Sequence, residues 1–526
     1  MPKVAKGRRK RAYRPRTRSG CLTCKIRRVK CDEKRPECLR CTSTRRICDG
    51  YPDSHEQRPH SSPSSIAIVP VTVIAGPSIE IYASLQSKRS FAFFVQRTSP
   101  QLAGFFGSDF WERHVLQAAH HESAVRHAIV AIGSLHELLD LQGAMTDPNG
   151  AFALEQYNLA IRDLLVPLSQ NGERGVDLCL MSCILFACFE NMQGHHASAM
   201  SHIQSGAKLL RETVYDQRYG VLQHQVLGSR SHMDSYAPLE VLAPIFARMD
   251  AQVTLVIRDY KFKLYESYFS AETYDNVAFS FASIEEAKNI FEYGYCLFKS
   301  RLTAQLSSCD PIHFPAAVEA HIGYWATLLS KFSLALQELV TSRGPSFTPK
   351  DDIAIAVLQL HVLNTYVSFN VEHLPPGYKS RWDEFLPHMK EMVTLGEKVV
   401  SSTSYGNDLR GETTSFCSDM GFIIPLYTVA SQCRDPILRR KAIALLYSTS
   451  RQEGIWNSRL VAKAAERIME IEESVLGEMN AYTDRSVFSS VQPILELDAR
   501  GGRLQYVQQG QGANTEVKVV EEMFRW

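Results

Sequence analysis

Six cysteines between residues 21 and 48 constrain this chain more than any other feature. Cys21, Cys24, Cys31, Cys38, Cys41 and Cys48 fall as C-x2-C-x6-C-x6-C-x2-C-x6-C. Each half supplies three thiolates, one fewer than a closed tetrahedral zinc site needs. Six sulfurs can complete two such sites only if two of them are shared, so the spacing predicts a compact cluster holding two Zn2+ ions. Disulfide bonding is the competing use of paired cysteines. The first twenty residues are polycationic and lack the apolar stretch of a signal peptide, which points to a reducing compartment, where this spacing reads as metal binding.

A segment of about thirty residues with few apolar side chains cannot bury enough surface to fold unaided. Metal must supply the difference, and structural zinc contributes roughly 10–16 kcal/mol in small zinc peptides. Between the second and third cysteines runs Lys25-Ile26-Arg27-Arg28-Val29-Lys30, which is expected to form a short helix held at both ends by metal-bound cysteines. Four cations in six residues repel one another unless a polyanion is close, so double-stranded DNA is the expected partner. Net charge agrees. Residues 1–50 hold 18 Lys or Arg against 4 Asp or Glu, whereas the remainder holds 40 against 52. A basic head, of the kind that attracts phosphate polyanions, is joined to an acidic body.

The six-cysteine run, the basic stretch Lys25–Lys30, Asp32 after the third cysteine and Pro36 in the loop joining the halves closely resemble the fungal zinc binuclear cluster family of transcription factors. That resemblance implies that the first and fourth cysteines, Cys21 and Cys38, are the bridging pair. One zinc would then hold Cys21, Cys24, Cys31 and Cys38, and the other Cys38, Cys41, Cys48 and Cys21. It also implies a proline at position 36 that is often cis. Arg27 and Arg28 occupy the family positions that enter the major groove and touch a CGG-type triplet, and Arg28 stands where lysine is commoner. Arginine can pair bidentately with guanine O6 and N7. Lys25, Lys30, Arg45 and Arg46 are expected on phosphates, which position a protein without specifying sequence. A nuclear, sequence-specific regulator of transcription by RNA polymerase II follows as the family's implication.

Along the chain, residues 1–20 read as a basic arm with no acidic residue, suited to nuclear import and phosphate contact. Residues 21–50 form the cluster domain, built of two short helices and loops. Residues 51–87 read as a linker, with Pro52, Pro59 and Pro63 among Ser and His. Pro70, Gly76 and Pro77 interrupt any heptad after the cluster, and Ile66 to Ile74 is closer to an extended segment. A homodimer would therefore have to form without a coiled coil.

Residues 88–500 read as a large all-α regulatory domain, an irregular multi-helix array. Apolar residues recur at helical steps in Leu154-Tyr157-Ile161-Leu164, Met200-Ile203-Ala207-Leu210, Trp325-Leu329-Phe332-Leu336-Leu339 and Leu460-Ala464-Ile468-Ile471-Val475. Ser283 with Glu286 predicts a capping box, and Asp435 before Pro436 a cap with a first-turn proline. This body resembles the regulatory domain that follows the cluster in many fungal factors, on the stretches Gly107-Ser108-Asp109-Phe110-Trp111, Val125-Arg126-His127-Ala128, Cys188 to Gly194 and Glu453-Gly454-Ile455-Trp456-Asn457-Ser458. The resemblance implies contacts with the transcription machinery or co-regulator proteins. In the segment 501–526, alternation around Leu504–Val507 and Val517–Val519 predicts a small hairpin about a Gly510–Asn514 turn; its acidic-hydrophobic end reads as a docked terminus in preference to an activation segment.

Rival chemistry finds little support. Cys179, Cys183, Cys188, Cys296, Cys309, Cys417 and Cys433 are scattered among apolar neighbours and read as buried free thiols. His120 and His121 lack the H-E-x-x-H pattern, and there is no phosphate loop, dinucleotide fingerprint or nucleophile elbow. An enzyme is not expected. RNA is a weaker partner than DNA, because Tyr51 is the only aromatic residue within 21–55 and single-strand recognition needs stacking rings. The longest apolar run, near Leu178 to Phe189, suits a buried helix, so no membrane span is expected.

Overall fold

The computed structural model describes residues 20–48 except Arg28 and Arg45, and residues 84–141, 145–169, 175–216, 221–224, 227–231, 235–254, 280–308, 314–371, 378–404, 414–478, 492–496, 501–509 and 517–525. The arm, almost all of the 51–87 linker, Cys309 and the 510–514 turn lie outside those residues. The chain divides into two units, Met1–Ser78 and Ile79–Trp526. The first contains the cysteine cluster. The second is helical with few strands among its described residues.

The helical unit has two hydrophobic clusters. The first is organised around Val176–Gln193, a helix apolar on every side, with Leu180, Met181, Ile184, Leu185 and Phe189 fully enclosed. An all-round apolar helix belongs at the centre of a core. Gly194, in the left-handed region at φ 82°, ends it. By length and composition this helix and Pro349–Val371 are both apolar enough to cross a membrane, which corrects the expectation that no segment reaches that length; most of each is buried inside the protein. The second cluster gathers the helices from Ile284–Ser308 to Ser458–Glu478 around Phe298, Phe332, Phe369 and Phe422. Phe298 stacks on Phe369 with ring centroids 3.6 Å apart.

The apolar stripes locate the helices, with one adjustment. In Pro148–Ser169 the enclosed face runs through Ala153, Tyr157 and Ala160, and Leu154 is exposed. Small residues at 153 and 160 admit the neighbouring helix more closely than leucine would. Asp435 accepts from the amides of Ile437 and Leu438 at 3.0 and 2.9 Å with Pro436 behind it, and Ser283 accepts from Glu286 N at 3.1 Å. Val475 lies where its side chain is not described.

Three small sheets were not foreseen in this form. Val214–Asp216, Val221–His224 and Gly228–Ser231 make an antiparallel meander. Gln492–Glu496, Gly501–Gln509 and Val517–Arg525 make another, so the terminal pair, with Val507 opposite Val519, has a third strand. Arg467 holds Glu522 through two bonds of 2.7 and 2.8 Å, docking the last strand on the Ser458–Glu478 helix.

The remaining sheet joins Ser415–Cys417 in parallel to Arg451–Glu453, which turns through Gly454 (φ 57°) onto Trp456–Asn457. Its strands are too short for alternation to be visible, and Arg451, Gln452 and Glu453 are all buried. Their charges are used locally. The Glu453 carboxylate accepts from the amides of Phe422 and Ile423 at 3.1 and 3.0 Å, capping the Ile423–Gln432 helix, and from Arg451 Nε at 2.7 Å. A Cβ at Gly421 would lie 1.7 Å from that carboxylate, so only glycine fits there. Nearby, Asp419 pairs with Lys288 and with Arg248 at 3.1 Å, and Arg248 pairs in turn with Glu292 at 2.7 and 3.1 Å. Burial pushes the Asp419 carboxyl up, but Arg248 and Lys288 outweigh it and hold it below the usual carboxylate range.

Two outcomes are expected. Glu453→Ala strands the buried Arg451 guanidinium and two helix amides, and should destabilise the helical unit by about 3–5 kcal/mol, read as a lowered urea midpoint; an unchanged midpoint would show that the cap is dispensable. His136 is fully buried between Phe93 and Phe416, with Nδ1 2.9 Å from Thr98 Oγ1. Burial lowers its pKa from 6.5 to about 4. The folded state thus takes up this proton later than the unfolded one, so stability is complete above pH 6.5 and is lost as pH falls toward 4. The loss between pH 7 and pH 5 should be about 2 kcal/mol, and His136→Gln should remove that part of the pH dependence.

Candidate metal centre and nucleic-acid face

The two halves of the cluster repeat with an offset of 17 residues: Cys21, Cys24 and Cys31 correspond to Cys38, Cys41 and Cys48. The structure repeats with them. Helix α1 (Leu22–Ile26) is capped by Cys21, whose Sγ accepts from Cys24 N at 3.4 Å, and α2 (Leu39–Thr42) by Cys38, whose Sγ accepts from Cys41 N at 3.3 Å. Val29 N donates to Cys24 O and Arg46 N to Cys41 O, both at 3.1 Å, turning the chain back in each half. Cys21 N donates to Cys31 Sγ and Cys38 N to Cys48 Sγ, both at 3.4 Å.

These turns correct the expected Lys25–Lys30 helix. The helix begins three residues earlier and stops at Ile26, with Arg27 as its cap, and Val29 and Lys30 lie beyond it. A helix continued to Cys31 would carry that residue about 10 Å along the axis from Cys24. The sulfurs instead all lie within 4.8 Å of one another inside each of two groups, Cys21-Cys24-Cys31-Cys38 and Cys21-Cys38-Cys41-Cys48.

Cys21 and Cys38 are common to both groups, with Sγ atoms 3.5 Å apart. Cys24 Sγ lies 3.6 Å from Cys38 Sγ, and Cys21 Sγ 3.9 Å from Cys41 Sγ. Four sulfurs each about 2.3 Å from a zinc ion stand about 3.8 Å from one another, so the spacing fits the metal. The donor chemistry fits too. Five of the six cysteines are buried and Cys48 is half-buried. Burial pushes the Cys21 thiol up to about 12 and raises those of Cys24 and Cys38, since no charge compensates them. The amide bonds to sulfur favour thiolates. The six cysteines would hold two Zn2+ ions, whose contribution is structural: they compensate the thiolates and cross-link the halves.

Polar contacts complete the frame. Asp32 accepts from Leu39 N and Arg40 N, both at 3.0 Å, capping α2 from the first half. Desolvation pushes its carboxyl up, and the Arg40 and Leu39 amides more than offset this, leaving it below the usual range. The Arg35–Pro36 bond is cis. Thr23 Oγ1 donates to Ile47 O at 3.3 Å, and Arg27 Nη1 to Thr44 Oγ1 at 3.4 Å, both across the halves. Sequence reading passed over these threonines, which no motif marks.

Lys25, Lys30 and Arg46 are exposed and Arg27 is half-buried. Arg28 and Arg45 lie outside the described residues. The repeat makes the charge distribution plain, since Lys25, Arg27 and Lys30 of the first half correspond to Thr42, Thr44 and Ile47 of the second. Arg40, Arg45 and Arg46 keep the second half basic, but the positions of Lys25, Arg27 and Lys30 are cationic in the first half only.

Metal analysis of the purified chain should find two zinc ions, and Cys38→Ala should reduce both, whereas Cys48→Ser should chiefly affect one. Chelation should abolish the dispersed amide signals of residues 21–48 and leave the thermal transition of the helical unit in place. Dispersed signals that survive metal removal would refute a metal-built fold.

Residues 19–58 match the Fungal Zn(2)-Cys(6) binuclear cluster domain. The aspercryptin biosynthesis cluster-specific transcription regulator atnN of Emericella nidulans is 25% identical over 97% of this chain and 96% of its own length. Transcription regulator lscL of Purpureocillium lilacinum is 29% identical over 36% of this chain and 48% of its own. The transcriptional regulatory protein moc3 of Schizosaccharomyces pombe is 62% identical over 42 residues, 8% of each chain. With a matched cluster domain, paired sulfur tetrads and a transcription regulator similar from end to end, residues 19–58 of this chain are a fungal Zn(2)-Cys(6) binuclear cluster domain, and the chain as a whole is similar to fungal transcription regulators.

Proposed function

We propose that this DNA-binding transcription factor recognises GC-rich, CGG-type sites in duplex DNA and acts on RNA polymerase II transcription in the nucleus. The observation that carries the reading is the cationic run of the cluster's first half, where Lys25, Arg27 and Lys30 stand at positions that are neutral in the second half. In this reading Cys21, Cys24, Cys31, Cys38, Cys41 and Cys48 are the metal ligands, Arg27 and Arg28 meet base edges, and Lys25, Lys30, Arg45 and Arg46 bind phosphates. The 1–20 arm adds phosphate contacts and an import signal.

The helical unit, in the same reading, presents surfaces to co-regulators. Residues 51–526 carry 40 basic against 52 acidic side chains, a balance that opposes direct contact with a polyanion. Control of a biosynthetic gene set, which the printed name of the Emericella nidulans relative states for that protein, is the physiological role we infer.

Binding of the full chain to a CGG duplex is expected to weaken steeply with salt. Arg27→Ala should lower affinity for that duplex by about 1–3 kcal/mol and relax the preference for it over a scrambled duplex, whereas Lys25→Ala should weaken both alike and reduce the salt slope by about 1. If Arg27→Ala weakened both duplexes equally, Arg27 would be a phosphate contact and the assigned base reading would fail.

A further inference from the structure

The helical unit contains a partly open cavity of about 90 Å³ lined from both of its hydrophobic clusters. Ala251 and Cys296 reach it from the first cluster, Phe291 and Met420 from the second. Its charged lining is already balanced. Arg248 pairs with both Glu292 and Asp419, Asp419 also takes Lys288, and Glu453 is held by Arg451 and two amides. His361 Nε2 is 2.7 Å from Gly421 O, and burial lowers its pKa, which favours the neutral ring with Nε2–H as the donor. A charged ligand would find no uncompensated partner here and would be desolvated at a loss.

One lining group is unsatisfied. Asn364 is 9% exposed, and its Oδ1 is buried with no hydrogen-bond partner in the protein. Nearly all buried polar atoms find partners, and one that does not calls for a donor from elsewhere. The size of the space limits what can supply it, since a dry cavity of about 150 Å³ accepts benzene and this one is smaller.

We propose that this cavity is a ligand site for a compact, uncharged, cyclic molecule of roughly five non-hydrogen atoms, one edge donating to Asn364 and the remainder lying against Phe291 and Met420. The molecule bridges helices of both clusters, so its binding would tie the two parts of the helical unit together. The site belongs to the helical unit and does not depend on the DNA reading.

Pyrazole and furan test it. Both are flat five-membered rings, but only pyrazole donates an N–H, and its adjacent nitrogen lets it meet the carboxamide in either orientation. In ligand-observed NMR titrations of the zinc-loaded full chain, pyrazole should bind at least tenfold more tightly than furan, and Asn364→Leu should abolish that preference. Equal binding of the two rings, retention of the preference in Asn364→Leu, or no binding of either would overturn the proposal, the last meaning that the cavity holds water only. Should Asn364→Leu fail to fold, the pyrazole-to-furan ratio in the unsubstituted protein decides alone.

Discussion

Six sulfurs packed within 4.8 Å in two overlapping groups are an unstable arrangement by themselves. Buried thiols offer weak hydrogen bonds and little apolar area, and as thiolates they would repel one another in a dry environment. A compensating cation at the centre of each group reverses both objections. Everything else in the cluster unit depends on that condition. Helices of five and four residues have no stability alone, and the cross-half bonds from Thr23, Arg27 and Asp32 exist only while the halves are held together.

The helical unit solves a related problem by another route. Its interior also contains charge, at Arg248, Lys288, Glu292, Asp419, Arg451 and Glu453, but there each charge meets its opposite within the chain. Such pairs add little net stability over apolar residues of similar volume, though breaking one costs a great deal. They do fix geometry. Glu453 ties a three-residue strand to the first turn of a helix, and Asp419 ties the segment leading into that helix to two further helices. The junction of the two hydrophobic clusters is therefore held by directional contacts instead of by shape alone, which is how a cavity with an unsatisfied amide can persist there.

Sequence reading was strongest where covalent spacing and chemistry coincide. The cysteine spacing already required shared sulfurs, and family resemblance named Cys21 and Cys38, which the structure places in both groups. Helical periodicity located the long helices, because a face of leucine and phenylalanine at steps of three and four has few other uses. It misjudged Leu154 because alanine counts little in such a pattern while mattering a great deal in close helix packing. It could not find the Ser415–Cys417, Arg451–Glu453 and Trp456–Asn457 sheet, whose pairing spans more than thirty residues and whose central strand is charged and buried at once. The helix lies earlier than Lys25–Lys30 because the reach of Cys31 back to Cys24 puts a turn into the segment between these two cysteines.

That last point bears on how a module this small can discriminate among sequences. Cations on flexible stems contribute affinity to any duplex, and at physiological salt their influence extends only about 8 Å. Selectivity requires a donor whose position relative to the groove is set before contact. Arg27 meets that requirement better than Lys25 or Lys30, since it sits at the end of α1 and is tethered across the halves to Thr44. The tether is available because the second half carries threonine where the first carries arginine. The divergence of the two repeats thus does two things at once, placing neutral residues at three positions of the second half that are cationic in the first and supplying a hydrogen-bond acceptor that orients Arg27.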